Sequence, residues 1–153
     1  QPEVGYYSGH YDDECHKGFM LVKQKADEAL RAGDTELAKS YYEQALSMFL
    51  PTDNEKKSNR RYLTQEINGR ISSVADSELL TDALFAYDLC SLSLWLTEQQ
   101  DDIASLQTRI MQHISELYLS AAEHALSEGD TLSSEQYRMA AADWQINQTQ
   151  TEQ

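Results

Sequence analysis

Proline and cysteine are scarce in this chain of 153 residues, two of each, and its 12 lysines and arginines are outnumbered by 26 acidic residues. With only Pro2 and Pro51, long segments are free of the one residue that removes a helical hydrogen bond and clashes with the preceding turn. Two cysteines, Cys15 and Cys90, are too few for a disulfide-stapled scaffold, and both read as free thiols of a cytoplasmic protein. The shortage of positive charge, a formal net charge of −14, argues against binding to nucleic acid or an anionic lipid surface and favours basic partners. Nor is there a charge-free apolar run of membrane-spanning length. The most apolar stretch, Leu79 to Leu96, carries Asp82 and Asp88 and is expected to be a core helix without direct membrane insertion.

What is present is helical patterning. Residues 1–13 lack helical periodicity and are expected to form a flexible arm. From Glu14 to Ala32, Phe19, Val22, Ala26, Ala29 and Leu30 recur at spacings of an amphipathic helix. Gly33 suits the left-handed end of that helix, and Asp34 suits the cap of the next, Thr35 to Leu50. Pro51 and the capping pattern Thr52-x-x-Glu55 introduce a third helix, Asn54 to Ala75, with Leu63, Ile67, Ile71 and Val74 on one stripe. Asp76 or Ser77 can cap a fourth, Glu78 to Leu96, apolar on nearly every side and hence expected to be central. A fifth helix, Gln100 to Ser127, carries a stripe from Ile103 to Ala125. Gly129-Asp130 repeats the first junction and opens a sixth, with Tyr137, Ala140, Ala141 and Trp144 inward and a disordered tail over 147–153. The expected fold is all-α, antiparallel helical hairpins forming about six helices.

The first hairpin, with Gly33-Asp34, Ala38, Tyr41-Tyr42 and Ala45-Leu46, resembles a tetratricopeptide repeat. Together with the run after Ala45 and the long third segment Leu63-Thr-Gln-Glu-Ile67-Asn-Gly-Arg-Ile71, it is similar to a microtubule-interacting-and-trafficking (MIT) domain. The resemblance implies an MIT-like three-helix bundle over 14–80 and a second helical bundle over 81–146, which looks like the first two helices of another such unit. It also implies a non-enzymatic module that docks short helical or extended peptides, such as the tails of ESCRT-III membrane-remodelling proteins. One departure is visible: where many members carry an acidic receptor at the end of the third helix, this chain reads Ser73-Val74-Ala75, with Asp76 one place later.

No glycine-rich phosphate loop or nucleophile motif stands out. The cluster His10, Asp12, Asp13, Glu14, Cys15 and His16 matches no zinc spacing and reads as solvated; His113 and His124 read as surface residues, and no cofactor is expected. The residues expected to line a peptide groove between the second and third helices are Tyr41, Met48, Ile67, Ile71 and Val74. Lys56, Lys57, Arg60 and Arg61, the only basic cluster, oppose the positive end of their helix dipole and are a candidate dock for an acidic partner. The alternative is a tetratricopeptide-like chaperone or scaffold for a secretion or envelope complex, its concave surface including Lys23, Asp27 and Glu116. A third reading is a homodimer through the apolar fourth helix.

Overall fold

Two glycines reverse the chain at equivalent places. At the end of the first helix Gly33 takes φ 80°, and at the end of the fifth Gly129 takes φ 83°. In each case the helix closes with a paired hydrogen bond: Asp34 N–H donates to the Ala29 carbonyl and Gly33 N–H to Leu30, as Asp130 N–H does to Ala125 and Gly129 N–H to Leu126. This is the Schellman arrangement, which occupies carbonyls that a helix end otherwise leaves open. The following aspartate then caps the next helix, Asp34 Oδ1 accepting from Leu37 N–H at 3.0 Å and Asp130 Oδ1 from Ser133 N–H at 3.1 Å.

The computed structural model describes the backbone of residues 2–50, 52 and 54–152, and the side chains of 13–50, 52 and 54–145. The described residues form six helices and no strand: α1 (Pro2–Arg31), α2 (Thr35–Leu46), α3 (Asn54–Val74), α4 (Leu80–Leu96), α5 (Asp101–Ser127) and α6 (Thr131–Glu152). None is long and apolar enough to cross a membrane. Both ends depart from expectation. The segment 2–13, read as an arm, is helical backbone starting at Pro2, and a proline is well suited to the first helical position. Residues 147–152, read as a frayed tail, continue α6. Helix α2 stops four residues early. Its end tightens through Met48 N–H to Ala45 and Phe49 N–H to Leu46, and the Ser47 hydroxyl takes up the Gln44 carbonyl. Of the expected capping pair Thr52 and Glu55, Thr52 precedes α3, which begins at Asn54, and Glu55 lies in its first turn.

The chain divides into two compact units, 1–63 and 64–153, with the boundary inside α3 rather than after residue 80. In the first, α1 packs on α2. Ala26, Ala38 and Ala45 are fully buried, and their small size lets the two helices approach closely. Phe19 and Phe49 meet edge to face at 6.0 Å between ring centroids. A charged network accompanies the apolar core. Lys23, only 7% exposed, donates to Asp27 Oδ2 at 2.8 Å, while the Tyr42 hydroxyl donates to Asp27 Oδ1 at 2.9 Å. The Lys23 ammonium also stands 5.5 Å from the centroid of the Tyr62 ring.

In the second unit α5 packs against both α4 and α6. Its polar interior is uncharged. The Ser93 hydroxyl donates to Asn68 Oδ1, Asn68 Nδ2 donates to Gln100 Oε1 at 3.0 Å, and Gln100 Nε2 reaches the Thr97 carbonyl at 2.8 Å. Thr64 and Thr97 share a hydroxyl hydrogen bond of 2.7 Å. Buried hydroxyl and amide groups need such partners, because an unpaired one forfeits its hydration. Ahead of α4, Ser77 accepts from Leu79 N–H and donates to Asp82, but the cap position is Leu79 and no side chain caps the helix, so the cap expected of Asp76 or Ser77 is not made. The buried Ser115 hydroxyl holds the Ala141 carbonyl at 3.0 Å, and Trp144 stands edge to face on Tyr87 at 4.9 Å. Tyr137, expected inward, lies on the rim beside Tyr118.

Two measurements test this account. Neither reversing glycine has a neighbour within 4 Å of a hypothetical Cβ, so Gly33→Ala and Gly129→Ala strain the backbone alone. Each is expected to cost about 1–2 kcal/mol in urea unfolding. Cysteines 15 and 90 are free; Cys90 is fully buried and desolvation pushes its thiol up to about 11. A raised thiol pKa stabilises the fold below the unfolded value of 9.0, and that contribution is lost as pH climbs toward 11. Iodoacetamide under native conditions is therefore expected to label Cys15 well before Cys90, and Cys90→Ala to reduce the alkaline loss of stability.

Candidate functional site

Helix α1 presents three different faces. The stripe Phe19, Val22, Ala26, Ala29 and Leu30 is buried. One flank meets the turn after α2: the Cys15 thiol donates to the Met48 carbonyl at 3.1 Å, and a Cβ on Gly18 would stand 2.8 Å from Met48 Sδ. The remaining flank carries His16, Lys17, Met20, Leu21, Lys23, Gln24 and Asp27, and these residues line an open trough of about 620 Å³. Positions 16, 20, 23 or 24, and 27 follow one another at three- and four-residue steps, so they lie along a single side of the helix.

The trough has an apolar strip and a charged border. Met20 is 43% exposed and Leu21 66%, which leaves two large side chains of one helix in solvent. Lys23 and Asp27 form the border, and their mutual bond together with the Tyr42 hydroxyl holds both in place. Asp27 thus has partners for both carboxylate oxygens. Lys17 and His16 are exposed above them. Such a surface can receive apolar side chains of a partner and orient it by charge; the structure places no nucleophile beside a base within it.

The residues expected to form a peptide groove sit elsewhere. Ile67 and Ile71 are 1% and 0% exposed, so they are core residues of the second unit and no ligand can reach them as folded. Val74 is half-buried at the end of α3. Tyr41 and Met48, in the first unit, are half-buried and turned toward α1: the Lys25 ammonium stands 6.0 Å from the Tyr41 ring, and Met48 lies over Gly18. For Ile67 and Ile71 the expectation does not hold, because a stripe of apolar residues marks what is buried as readily as what binds. Lys23 and Asp27, read as part of a concave ligand surface, are bonded to each other and border the trough; Glu116 is exposed and accepts from Gln112.

Of the basic cluster, Lys57 and Arg61 are exposed, while Lys56 and Arg60 are half-buried. His113, read as a surface residue, is half-buried and its Nε2 bonds the Ser77 carbonyl at 2.8 Å. With Ala75, Asp76, Leu106, Arg109 and Ile110 it borders a smaller cleft of about 220 Å³ in the second unit. His124 is exposed and within 3.1 Å of Glu128. The side chains of His10 and Asp12 lie outside the described residues, and among the described ones no group of three or more His, Cys, Asp or Glu is placed to hold a metal ion.

The trough was not foreseen, although a signal existed. Met20 and Leu21 fall off the spacing of Phe19, Val22 and Ala26, so two of the three apolar residues in the run 19–21 cannot share the buried stripe. No known family model, curated protein or solved structure matches the chain.

Burial makes one substitution diagnostic. Ile71→Asp puts a carboxylate where the side chain has no exposure, and it is expected to destabilise the second unit by more than about 3 kcal/mol, seen by circular dichroism as lost cooperative unfolding. Met20→Asp, at an exposed position, is expected to leave the thermal midpoint nearly unchanged.

Proposed function

We propose that this chain is a non-enzymatic, cytoplasmic protein-interaction module that receives a helical or extended segment of a partner along the exposed flank of α1. The observation that carries the reading is the trough itself, with Met20 and Leu21 in solvent beside the ordered Lys23–Asp27 pair. Apolar side chains on a partner would cover Met20 and Leu21, and the bordering charges would fix its direction. The MIT-like reading of the first three helices belongs to this proposal, as does a role in targeting or assembly during membrane trafficking with ESCRT-III-like tails as partners.

The matching reversals at Gly33-Asp34 and Gly129-Asp130 favour a second reading, a tetratricopeptide-like scaffold in which the two hairpins are divergent copies of one unit. In that case the partner contacts both hairpins, and changes confined to α1 weaken binding only in part.

The test is affinity capture from eukaryotic extract with the intact chain and with Leu21→Asp, followed by photo-cross-linking from position 24 to identify the contacting peptide. Retention of one partner by the intact chain, its loss in Leu21→Asp, and a cross-link from position 24 are expected. Equal retention by both chains would sink the α1 reading.

A further inference from the structure

The first two turns of α3 concentrate positive charge in an otherwise acidic chain. Lys56, Lys57, Arg60 and Arg61 are four of the 12 lysines and arginines, set within six positions of a protein whose net charge is −14. Lys57 and Arg61 are one turn apart on the same side of the helix and both are exposed, with Asn54 and Ser58 beside them. Of the described acids before the strip, Glu55 lies two residues ahead of Lys57 and so on roughly the opposite side of the helix, while residue 53 lies outside the described residues. Among the described residues Lys56, Lys57 and Arg61 make no ion pair. The arrangement is also unfavourable locally, because cations in the first turns face the positive end of the helix dipole. Among the described residues the exposed cations Lys57 and Arg61 thus have no ion pair, and Lys57 in addition stands in the first turn of the helix.

We propose that Lys57 and Arg61, flanked by Lys56 and Arg60, form a docking strip for a short acidic helical segment of a partner protein; none of the four lines the α1 trough. Two cations one turn apart are about 6 Å apart along the helix axis, the spacing of carboxylates at positions i and i+4 of a facing helix. The size of the patch selects the kind of anion. At physiological salt, charges interact over about 8 Å, so a short peptide responds to the strip alone. A nucleic acid or a lipid surface extends well past the strip and meets the excess of carboxylates elsewhere on the chain.

The probe is a fluorescein-labelled peptide of repeated Glu-Ala-Ala-Ala, which places glutamates at i and i+4, titrated with the full chain at about 0.15 M salt and read by anisotropy. Saturable binding is expected, weakened at least about tenfold in the charge-reversed pair Lys57→Glu with Arg61→Glu, and weakened less by Lys57→Gln with Arg61→Gln. All variants should keep the helical circular dichroism of the intact chain, since both positions are exposed. Leu21→Asp should bind the probe normally, which separates failure of this strip from failure of the α1 reading. No saturable binding, or equal binding by the charge-reversed chain, would overturn the proposal. So would tighter binding to single-stranded DNA or to phosphatidylserine vesicles than to the peptide.

Discussion

The reversal made by a left-handed glycine followed by a capping aspartate is the constraint on which both units rest. A helix end leaves carbonyls without donors, and a helix start leaves N–H groups without acceptors. At Gly33-Asp34 and again at Gly129-Asp130 the two deficits are met within two residues, by the bonds back to Ala29 and Leu30, and to Ala125 and Leu126, and by the aspartate side chain reaching forward. Ser133 also holds the Asp130 carboxyl below its ordinary range by hydrogen bonding to the charged form. With the chain turned so sharply, α2 must return along α1 and α6 along α5. The alanines at those contacts then decide how closely each pair can approach.

Beyond that shared device the units solve the problem of polar groups in opposite ways. The first buries Lys23 and answers it with Asp27, whose second oxygen takes the Tyr42 hydroxyl from α2. A charge with fixed partners is costly to misplace, so this network sets the register of α2 on α1. The second unit uses neutral groups, Asn68, Ser93, Thr97 and Gln100, whose bonds join the latter part of α3 to the end of α4 and the start of α5. The ordered charges of the first unit border an exposed apolar strip on α1, while the neutral bonds of the second are spent within its interior.

Much of the helical order was legible because it depends on neighbours in sequence. The stripe Phe19, Val22, Ala26 and Leu30 identified the buried side of α1, and the Gly33-Asp34 pair located the turn. The site was less legible. Ile67 and Ile71 read equally well as groove or core, and only their lack of exposure separates the two. Tyr41 reads as lining a groove between the second and third helices, yet the side chain that reaches its ring is Lys25 of α1. His113 looked solvated until the segment before α4 brought the Ser77 carbonyl to it.

What the sequence determined alone is the set of helices, their reversal points, the excess of negative charge and the single basic cluster, since periodicity, capping and composition are local properties. Tertiary structure decided which apolar residues are left in solvent, that the compact units part inside α3, and that Lys23 is answered by Asp27 and Tyr42. The physical reason is that burial and pairing depend on what arrives from distant parts of the chain. A residue such as Ile71 carries no mark of whether its stripe is core or groove until its neighbours have chosen their sides.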